Sequence, residues 1–291
     1  MNFETMLGTF ATLASAWEVQ AGPKPGLVDP FGSGAHDDMD YVTFLLSTCA
    51  LASYWKRQAR VGLDGISPGK AMAFLRPTGL EMESAMARAT GGVNTHKGLI
   101  YAMSLLLYGA GCCLFSGLRV DPCAAARIGA ESVSEIVREE FSALSGSVSH
   151  KSRSHGERLF LELGVKGIRG EASSGFPSVL GKGLPALWRS LEGGAPLNDS
   201  ALCAFFSIAS VCEDSNVIIR GGYDFWKDTH LPLMEELSAV KPPYDAVFFQ
   251  KLHELDRKYS SLGVSPGGAA DLLSCTLFLH WAQLVNKFEL S

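Results

Sequence analysis

Apolar residues recur along the chain at intervals of three and four, the spacing that places them on one face of an α-helix. The N-terminal segment shows this pattern with Phe3, Met6, Leu7 and Phe10. Long runs in which apolar and polar residues alternate strictly, as they do in half-buried strands, are missing from the sequence. The pattern therefore predicts an all-α protein, built as a multi-helix array in a single domain over residues 1–291.

The same spacing predicts further helices, separated by short polar connectors. Their predicted ranges are 39–60, 81–89, 96–115, 123–143, 154–163, 200–212, 223–238, 244–259 and 270–288. Much of the glycine lies in the connectors, as expected where a chain turns between helices. Residues 142–154 are rich in serine and predict a mobile surface loop.

The segment 98–118 carries no charged residue and is about as long as a membrane span. It contains glycines, serines and cysteines, however, and it follows the polar stretch Asn94, Thr95, His96 and Lys97. These features favour a buried central helix near residues 96–115 over a membrane helix.

Charge and cysteine content narrow the function classes. A formal net charge of -5 provides no basic field, so binding to long nucleic acids is not expected. The seven cysteines are odd in number and lack zinc-site spacing, which favours free thiols in a reducing compartment. The N-terminus lacks the basic and apolar order of a signal peptide. We therefore expect a cytoplasmic protein that is not membrane-bound.

The first connector places a cation and several carboxylates close together. Lys24 lies between two prolines, whose fixed backbone angles restrict its position, and Asp37, Asp38 and Asp40 follow at a predicted helix start. Carboxylate oxygens suit Mg²⁺, which is commonly held by one or two carboxylates together with substrate phosphates. Acidic residues also cap helix N-termini, so metal binding and capping both remain open.

The connector before the central helix has the chemistry of a phosphate cradle. Gly91 and Gly92 precede a polar run that ends in Lys97 at the head of an apolar helix. Backbone N–H groups at a helix N-terminus and a nearby cation favour bound anions. A capped turn without a ligand is the alternative, and the GxxxxGK[ST] order of a Walker loop is absent.

Later connectors add more charged groups. Arg169 offers two parallel donors for a phosphate, and Glu171 offers a metal ligand or a proton acceptor. A surface salt bridge is the alternative for each. Arg220 lies near the end of an apolar helix, and Asp271 opens the last one, where it is either a ligand or an ordinary first-turn acid.

Five stretches resemble the triphosphoribosyl-dephospho-CoA synthase family. They occur in the family's order, and small departures fall at Ser215, where threonine is usual, and at Ala269, where serine is usual. The stretches are PKPGLVD (23–29), GAHDDMD (34–40), GGVNTHKG (91–98), GIRGEA (167–172) and SPGGAADLL (265–273).

The resemblance implies an all-α pentosyltransferase. Such an enzyme transfers the 5-triphosphoribosyl group of ATP to the ribose 2'-hydroxyl of 3'-dephospho-CoA and releases adenine. A separate holo-acyl-carrier-protein transferase attaches the product to the acyl carrier protein of citrate lyase or malonate decarboxylase. The sequence does not determine which pathway is served, and it leaves a homodimer open.

This chemistry suggests a role for each charged group. We expect Mg²⁺ ligands among Asp37, Asp38, Asp40 and Glu83. For ATP and its phosphates we expect contacts from Lys24, Gly91, Gly92, Asn94, Thr95, Lys97, Arg169 and Arg220. Glu171 or His96 would accept the proton of the attacking hydroxyl, and His36 would assist the leaving base.

Two other readings remain open. An all-helical, magnesium-dependent diphosphate enzyme, such as an isoprenoid synthase or a nucleotide pyrophosphohydrolase, would also use an aspartate cluster. The cluster here is single and lacks DDxxD spacing. A non-catalytic helical binding module would not need repeated clusters of acids and cations between glycines.

Overall fold

A computed structural model describes residues 2–146 and 155–288. Within these residues the chain is helical and has no strand, which confirms the all-α prediction. The helices are α1 (Phe3–Gln20), α2 (Tyr41–Leu63), α3 (Pro68–Ala89), α4 (Lys97–Phe115), α5 (Pro122–Glu131), α6 (Ser134–Gly146), α7 (His155–Leu163), α8 (Gly167–Ser173), α9 (Leu184–Glu192), α10 (Leu197–Ala209), α11 (Ser215–Gly221), α12 (Tyr223–Phe225), α13 (Leu231–Ala239), α14 (Ala246–Ser261) and α15 (Gly267–Ala282).

Helix α4 is the central helix that the sequence predicts. It packs against α1, α2, α5 and α15, and most of its residues are buried. In the part of the chain that the structure describes, it is the one helix long and apolar enough to cross a membrane. Because 78% of its apolar window is buried inside the protein, its hydrophobicity is explained by its place in the core.

Close backbone approach joins α4 to α2. A Cβ atom on Gly62 would lie 2.1 Å from the carbonyl oxygen of Tyr108, and one on Gly111 would lie 2.4 Å from that of Ala59. Both distances are far below van der Waals contact, so only glycine fits at these two positions. Gly62 of α2 and Gly111 of α4 therefore allow the two helices to pack closely.

Several predicted boundaries are wrong. Helix α3 begins at Pro68, well before residue 81, because proline is well tolerated in the first turn of a helix. Pro77 lies inside α3. Packing against α2 stabilises this part of the helix, where the Gln58 side-chain amide donates to the Leu75 carbonyl at 3.3 Å. Local propensity alone predicts a connector there.

Other segments contain more helix than the connectors suggest. The predicted helix 123–143 is divided into α5 and α6, and 270–288 is divided into α15 and the 3-10 helix Gln283–Lys287. Helices α8, α9 and α11 lie in stretches where no helix is predicted. The predicted loop 142–154 overlaps the end of α6, and its residues 147–154 lie outside the described part of the chain.

Candidate active site

A cavity of about 1410 Å³ lies where the polar connectors meet the ends of the apolar helices. Its wall is formed by the connector before α2, the start of α4, helix α8, the segment before α9, helix α11 and the start of α15. Typical small-molecule pockets measure roughly 300–1,000 Å³. This cavity therefore has room for a large ligand or for two ligands side by side.

The cavity wall is rich in cations. Among the described residues, basic side chains from α4, from α8 and the segments next to it, and from α11 converge on it. These side chains are Lys97, Lys166, Arg169, Lys182 and Arg220. A cavity lined in this way favours an anionic ligand such as a polyphosphate.

Arg220 and His36 hold two connectors together beside the cavity. The Arg220 guanidinium donates to the carbonyl oxygens of Ala35 and Gly263, both at 3.2 Å. It also lies 3.5 Å from His36 Nδ1, while His36 Nε2 lies 3.0 Å from Ser265 Oγ. Burial and the neighbouring Arg220 lower the pKa of His36, so its ring is neutral near pH 7. Both ring nitrogens of His36 thus contact polar groups of the protein.

His96 lies at the start of α4 with one nitrogen bound and the other without a partner. Ser47 Oγ lies 2.7 Å from Thr95 Oγ1 and 2.7 Å from His96 Nδ1. His96 Nε2 is buried and has no hydrogen-bond partner among the described residues. Burial lowers the pKa of His96 to about 4. The His96 ring is therefore neutral near pH 7.

Glu171 is a cavity-lining carboxylate held by a single serine. Its two oxygens accept hydrogen bonds from the Ser178 backbone N–H at 2.7 Å and from the Ser178 hydroxyl at 2.9 Å. Burial raises the pKa of Glu171, and the bonds from Ser178 act in the opposite direction. A carboxylate with a raised pKa is a stronger base than an exposed one, so Glu171 suits proton transfer.

Two of the predicted phosphate contacts are paired with carboxylates. Lys97 Nζ lies 3.0 Å from Glu83 Oε2, and Arg169 donates to Glu140 at 3.1 Å. These four side chains are partly exposed, so each pair contributes little to stability and can open when a ligand binds. Asn94, Thr95 and the start of α4 line the cavity with Lys97.

Sequence reasoning missed two cations of the wall, Lys166 and Lys182. Neither has an ion-pair partner among the described residues, and both line the same cavity as Arg169. The missed acid Glu213 also lies there, where it accepts from the Lys166 backbone N–H at 2.8 Å. The lysine next to GIRGEA was the available signal for Lys166, whereas a lone lysine such as Lys182 has no distinctive sequence pattern.

The structure does not support Lys24 as a phosphate contact. Its side chain is fully buried, and its ammonium group lies 3.3 Å from Glu18 Oε1 and donates to the backbone carbonyls of Glu18 and Ala21. Lys24 is not among the cavity-lining residues. It compensates a buried carboxylate, because an unpaired charge inside the core would be strongly unfavourable.

The paired glycines also have a different role from the predicted one. Gly91 and Gly92 have positive φ angles and form the turn after α3, where the Gly92 N–H donates to the Ala87 carbonyl at 2.7 Å. Neither glycine lines the cavity. The Gly92 donor is already used, and Lys97 is the cation of this stretch that lines the cavity.

The predicted metal ligands do not form one cluster. Asp40 caps α2 by accepting from the Thr43 N–H at 2.8 Å, which is the alternative that the sequence left open, and it lies outside the cavity together with Asp37. Asp38 and Glu83 do line the cavity. Across residues 2–146 and 155–288, no three His, Cys, Asp or Glu side chains are grouped closely enough to hold a metal ion.

The carboxylates of the cavity therefore fit Mg²⁺ only if a bound substrate supplies the other ligands. A cage made of protein ligands alone is not formed by the described residues. Mg²⁺ is commonly held by one or two carboxylates together with substrate phosphates, however, and the exposed Asp38 and the partly exposed Glu83 line a cavity rich in cations. These residues fit an ion that enters with a polyphosphate.

The fold and the cavity define a class: an all-α protein with one large cavity, among its described residues, that is lined by basic side chains. The chain belongs to the family of ATP:dephospho-CoA triphosphoribosyl transferases, whose model matches residues 4–289. This confirms the family resemblance of the five sequence stretches.

Related proteins match over nearly their whole lengths. A probable 2-(5''-triphosphoribosyl)-3'-dephosphocoenzyme-A synthase of Streptococcus mutans is 34% identical over 95% of this chain and 96% of its own. A protein with the same name from Streptococcus equi subsp. zooepidemicus is 35% identical, with 97% of both chains covered. No solved structure shows a significant match.

Proposed function

We propose that the protein is a triphosphoribosyl-dephospho-CoA synthase. It transfers the 5-triphosphoribosyl group of ATP to the ribose 2'-hydroxyl of 3'-dephospho-CoA and releases adenine. The new bond forms between the hydroxyl oxygen and C1' of the ATP ribose, while the bond from C1' to adenine breaks. Family membership and the names of the relatives support this reaction.

The observation that carries the proposal is the size and charge of the cavity. Its volume of about 1410 Å³ suits two nucleotides, and its basic side chains suit a triphosphate and the diphosphate of dephospho-CoA. Lys166, Arg169 and Lys182 are the best-placed phosphate contacts, because all three line the cavity and Lys166 and Lys182 have no ion-pair partner among the described residues. Lys97 and Arg220 extend the basic surface from other segments.

Glu171 is the proton acceptor in this proposal. It lines the cavity, its carboxylate is held by Ser178, and burial makes it more basic than an exposed glutamate. His96 is the poorer candidate, since its pKa of about 4 makes it a weak base.

Mg²⁺ enters this proposal with ATP. Asp38 and Glu83 would hold the ion together with phosphate oxygens. When bound, the ion neutralises part of the triphosphate charge and fixes its orientation. The basic side chains of the wall provide the remaining positive charge, and the site residues bring C1' close to the attacking hydroxyl.

One experiment tests the reaction. The protein is incubated with ATP, dephospho-CoA and Mg²⁺, and the products are separated by chromatography. Free adenine in a one-to-one ratio with a triphosphoribosylated dephospho-CoA is the expected result. ADP or pyrophosphate without adenine would contradict the proposal and favour a diphosphate-cleaving enzyme.

The product and the compartment follow from the same proposal. The product passes to a separate holo-acyl-carrier-protein transferase, which attaches it to the acyl carrier protein of citrate lyase or malonate decarboxylase. The substrates of the proposed reaction, ATP and dephospho-CoA, favour a cytoplasmic location of the protein, as do the free thiols of the described residues. Attachment assays with either purified acyl carrier protein would distinguish the two pathways.

A further inference from the structure

Asp271 lines the cavity at a place where three helices meet. It lies in the second turn of α15, which packs against both α1 and α4. Glu18 of α1 and Gly98 of α4 line the same part of the wall. This part contains two carboxyl groups, whereas Lys166 and Lys182 lie on other segments of the chain.

The Asp271 carboxyl rests directly on the backbone of α4. A Cβ atom on Gly98 would lie only 2.1 Å from Asp271 Oδ2, so any side chain there would displace the carboxyl. The Leu99 backbone N–H donates to Asp271. The carboxyl therefore occupies the helix N-terminus that the sequence predicts to be a phosphate cradle, and a phosphate could bind there only if the carboxyl moved away.

No basic side chain neutralises Asp271. Among the described residues it has no ion-pair partner, because the nearby cation Lys24 is paired with Glu18 at 3.3 Å. The charged neighbours that affect Asp271 are the carboxyl groups of Glu18 and Asp214. Burial, followed by these two acids, raises the pKa of Asp271 well above its ordinary value. The group thus holds a proton under conditions where exposed aspartates have lost theirs.

We propose that the Asp271 carboxyl donates the proton that adenine takes up as its bond to ribose breaks; this rests on the reaction proposed above. The C1'–N9 bond of ATP breaks, and its electron pair passes into the purine ring. The proton moves from an Asp271 oxygen to a ring nitrogen, so adenine leaves as a neutral molecule. The 2'-hydroxyl oxygen bonds to C1' and gives its proton to Glu171. Exchange with water then restores both carboxyl groups.

His36 is less suited to this role. Its pKa is lowered by burial and by Arg220, and its two nitrogens already contact Arg220 and Ser265. A neutral imidazole held in this way is a poor proton donor near pH 7. The acid pair of Glu18 and Asp271 also assigns a direction to the cavity, with adenine at the junction of α1, α4 and α15 and the phosphates toward Lys166 and Lys182.

The first test is Asp271→Asn, which keeps the size of the side chain but removes the transferable proton. We expect kcat for adenine release to fall by about 10²- to 10⁴-fold, with KM for ATP changed by less than about threefold. Asp228→Asn is the matched control, because Asp228 is exposed and outside the cavity. The control should keep the wild-type rate, and thermal melting of both variants checks that they are folded.

The second test changes the leaving group. 7-Methyl-ATP carries a positively charged base, which can leave without a proton. We expect the gap between wild type and Asp271→Asn to shrink to within about tenfold with this nucleotide. An equal loss with both nucleotides, a loss confined to KM for ATP, or full activity of the variant with ATP would each overturn the assignment.

The outcomes separate this inference from the proposed reaction. If the wild-type protein releases no adenine from ATP and dephospho-CoA, the reaction itself is wrong, and the role of Asp271 is wrong with it. If wild type, Asp228→Asn and Asp271→Asn all release adenine at similar rates, the reaction stands and only the role of Asp271 is refuted.

Discussion

His230 should make the protein sensitive to acid. Its ring is fully buried, Nδ1 lies 2.9 Å from the Tyr259 hydroxyl oxygen, and Nε2 has no partner among the described residues. Burial lowers the pKa of His230 to about 4. In the unfolded chain a histidine has a pKa of about 6.5. Between these two values the unfolded state binds a proton that the native state does not.

The size of the effect follows from this difference. A lowered native pKa means that the free energy of unfolding is highest above the unfolded pKa and decreases as the pH falls toward the native pKa. For a shift from about 6.5 to about 4, one histidine removes about 2 kcal/mol between about pH 7.5 and about pH 5. His96, whose pKa is also lowered to about 4, adds a similar loss.

Urea unfolding of wild type and His230→Gln at these two pH values provides the measurement. Glutamine keeps a polar side chain but does not titrate, so the wild type should lose about 2 kcal/mol more than the variant. Acids with raised pKa values, such as Asp214 and Asp271, shift stability in the opposite direction. They are present in both proteins and cancel in the comparison. Equal losses in the two proteins would refute the reasoning.

Three further outcomes test the site and its supports. Lys166→Ala should weaken binding of ATP or dephospho-CoA by about tenfold in calorimetry, whereas the exposed Lys258→Ala should not; equal affinities would remove Lys166 from the phosphate site. Gly98→Ala should displace the Asp271 carboxyl and lower kcat for adenine release, and unchanged turnover would contradict that contact. Asp214→Ala removes the acceptor of three backbone N–H groups and should lower the free energy of unfolding by about 3 kcal/mol. An unchanged urea midpoint would contradict this structural role of Asp214.

The spacing of apolar residues was enough to predict the helical class and the central helix α4. Helix periodicity is a local property, since residues three and four apart share a face whatever the helix packs against. The sequence also located the connectors that meet at the cavity, and the five family stretches indicated the reaction. Asn94, Lys97, Arg169 and Glu171 all line the cavity as part of those stretches.

Only the tertiary structure showed which charged residues line the cavity and which stabilise the fold around it. Lys24 and Asp40 lie in the same connector as His36 and Asp38, yet Lys24 is buried against Glu18 and Asp40 caps α2. Which role a side chain takes depends on the neighbours that packing places beside it, and these come from distant parts of the chain. Spacing within one connector contains no information about such neighbours.

The same reason explains why the sequence did not single out Lys182 and left the role of Asp271 undecided. Lys182 joins the cation wall, and Asp271 lies beside Glu18 and on the backbone of Gly98, only because α1, α4, α15 and the segment before α9 meet at one cavity. The pKa of Asp271 is set by burial and by carboxyl groups from other segments. Sequence thus determined the helices and the chemical groups available, and packing decided which groups share a site and in what protonation state.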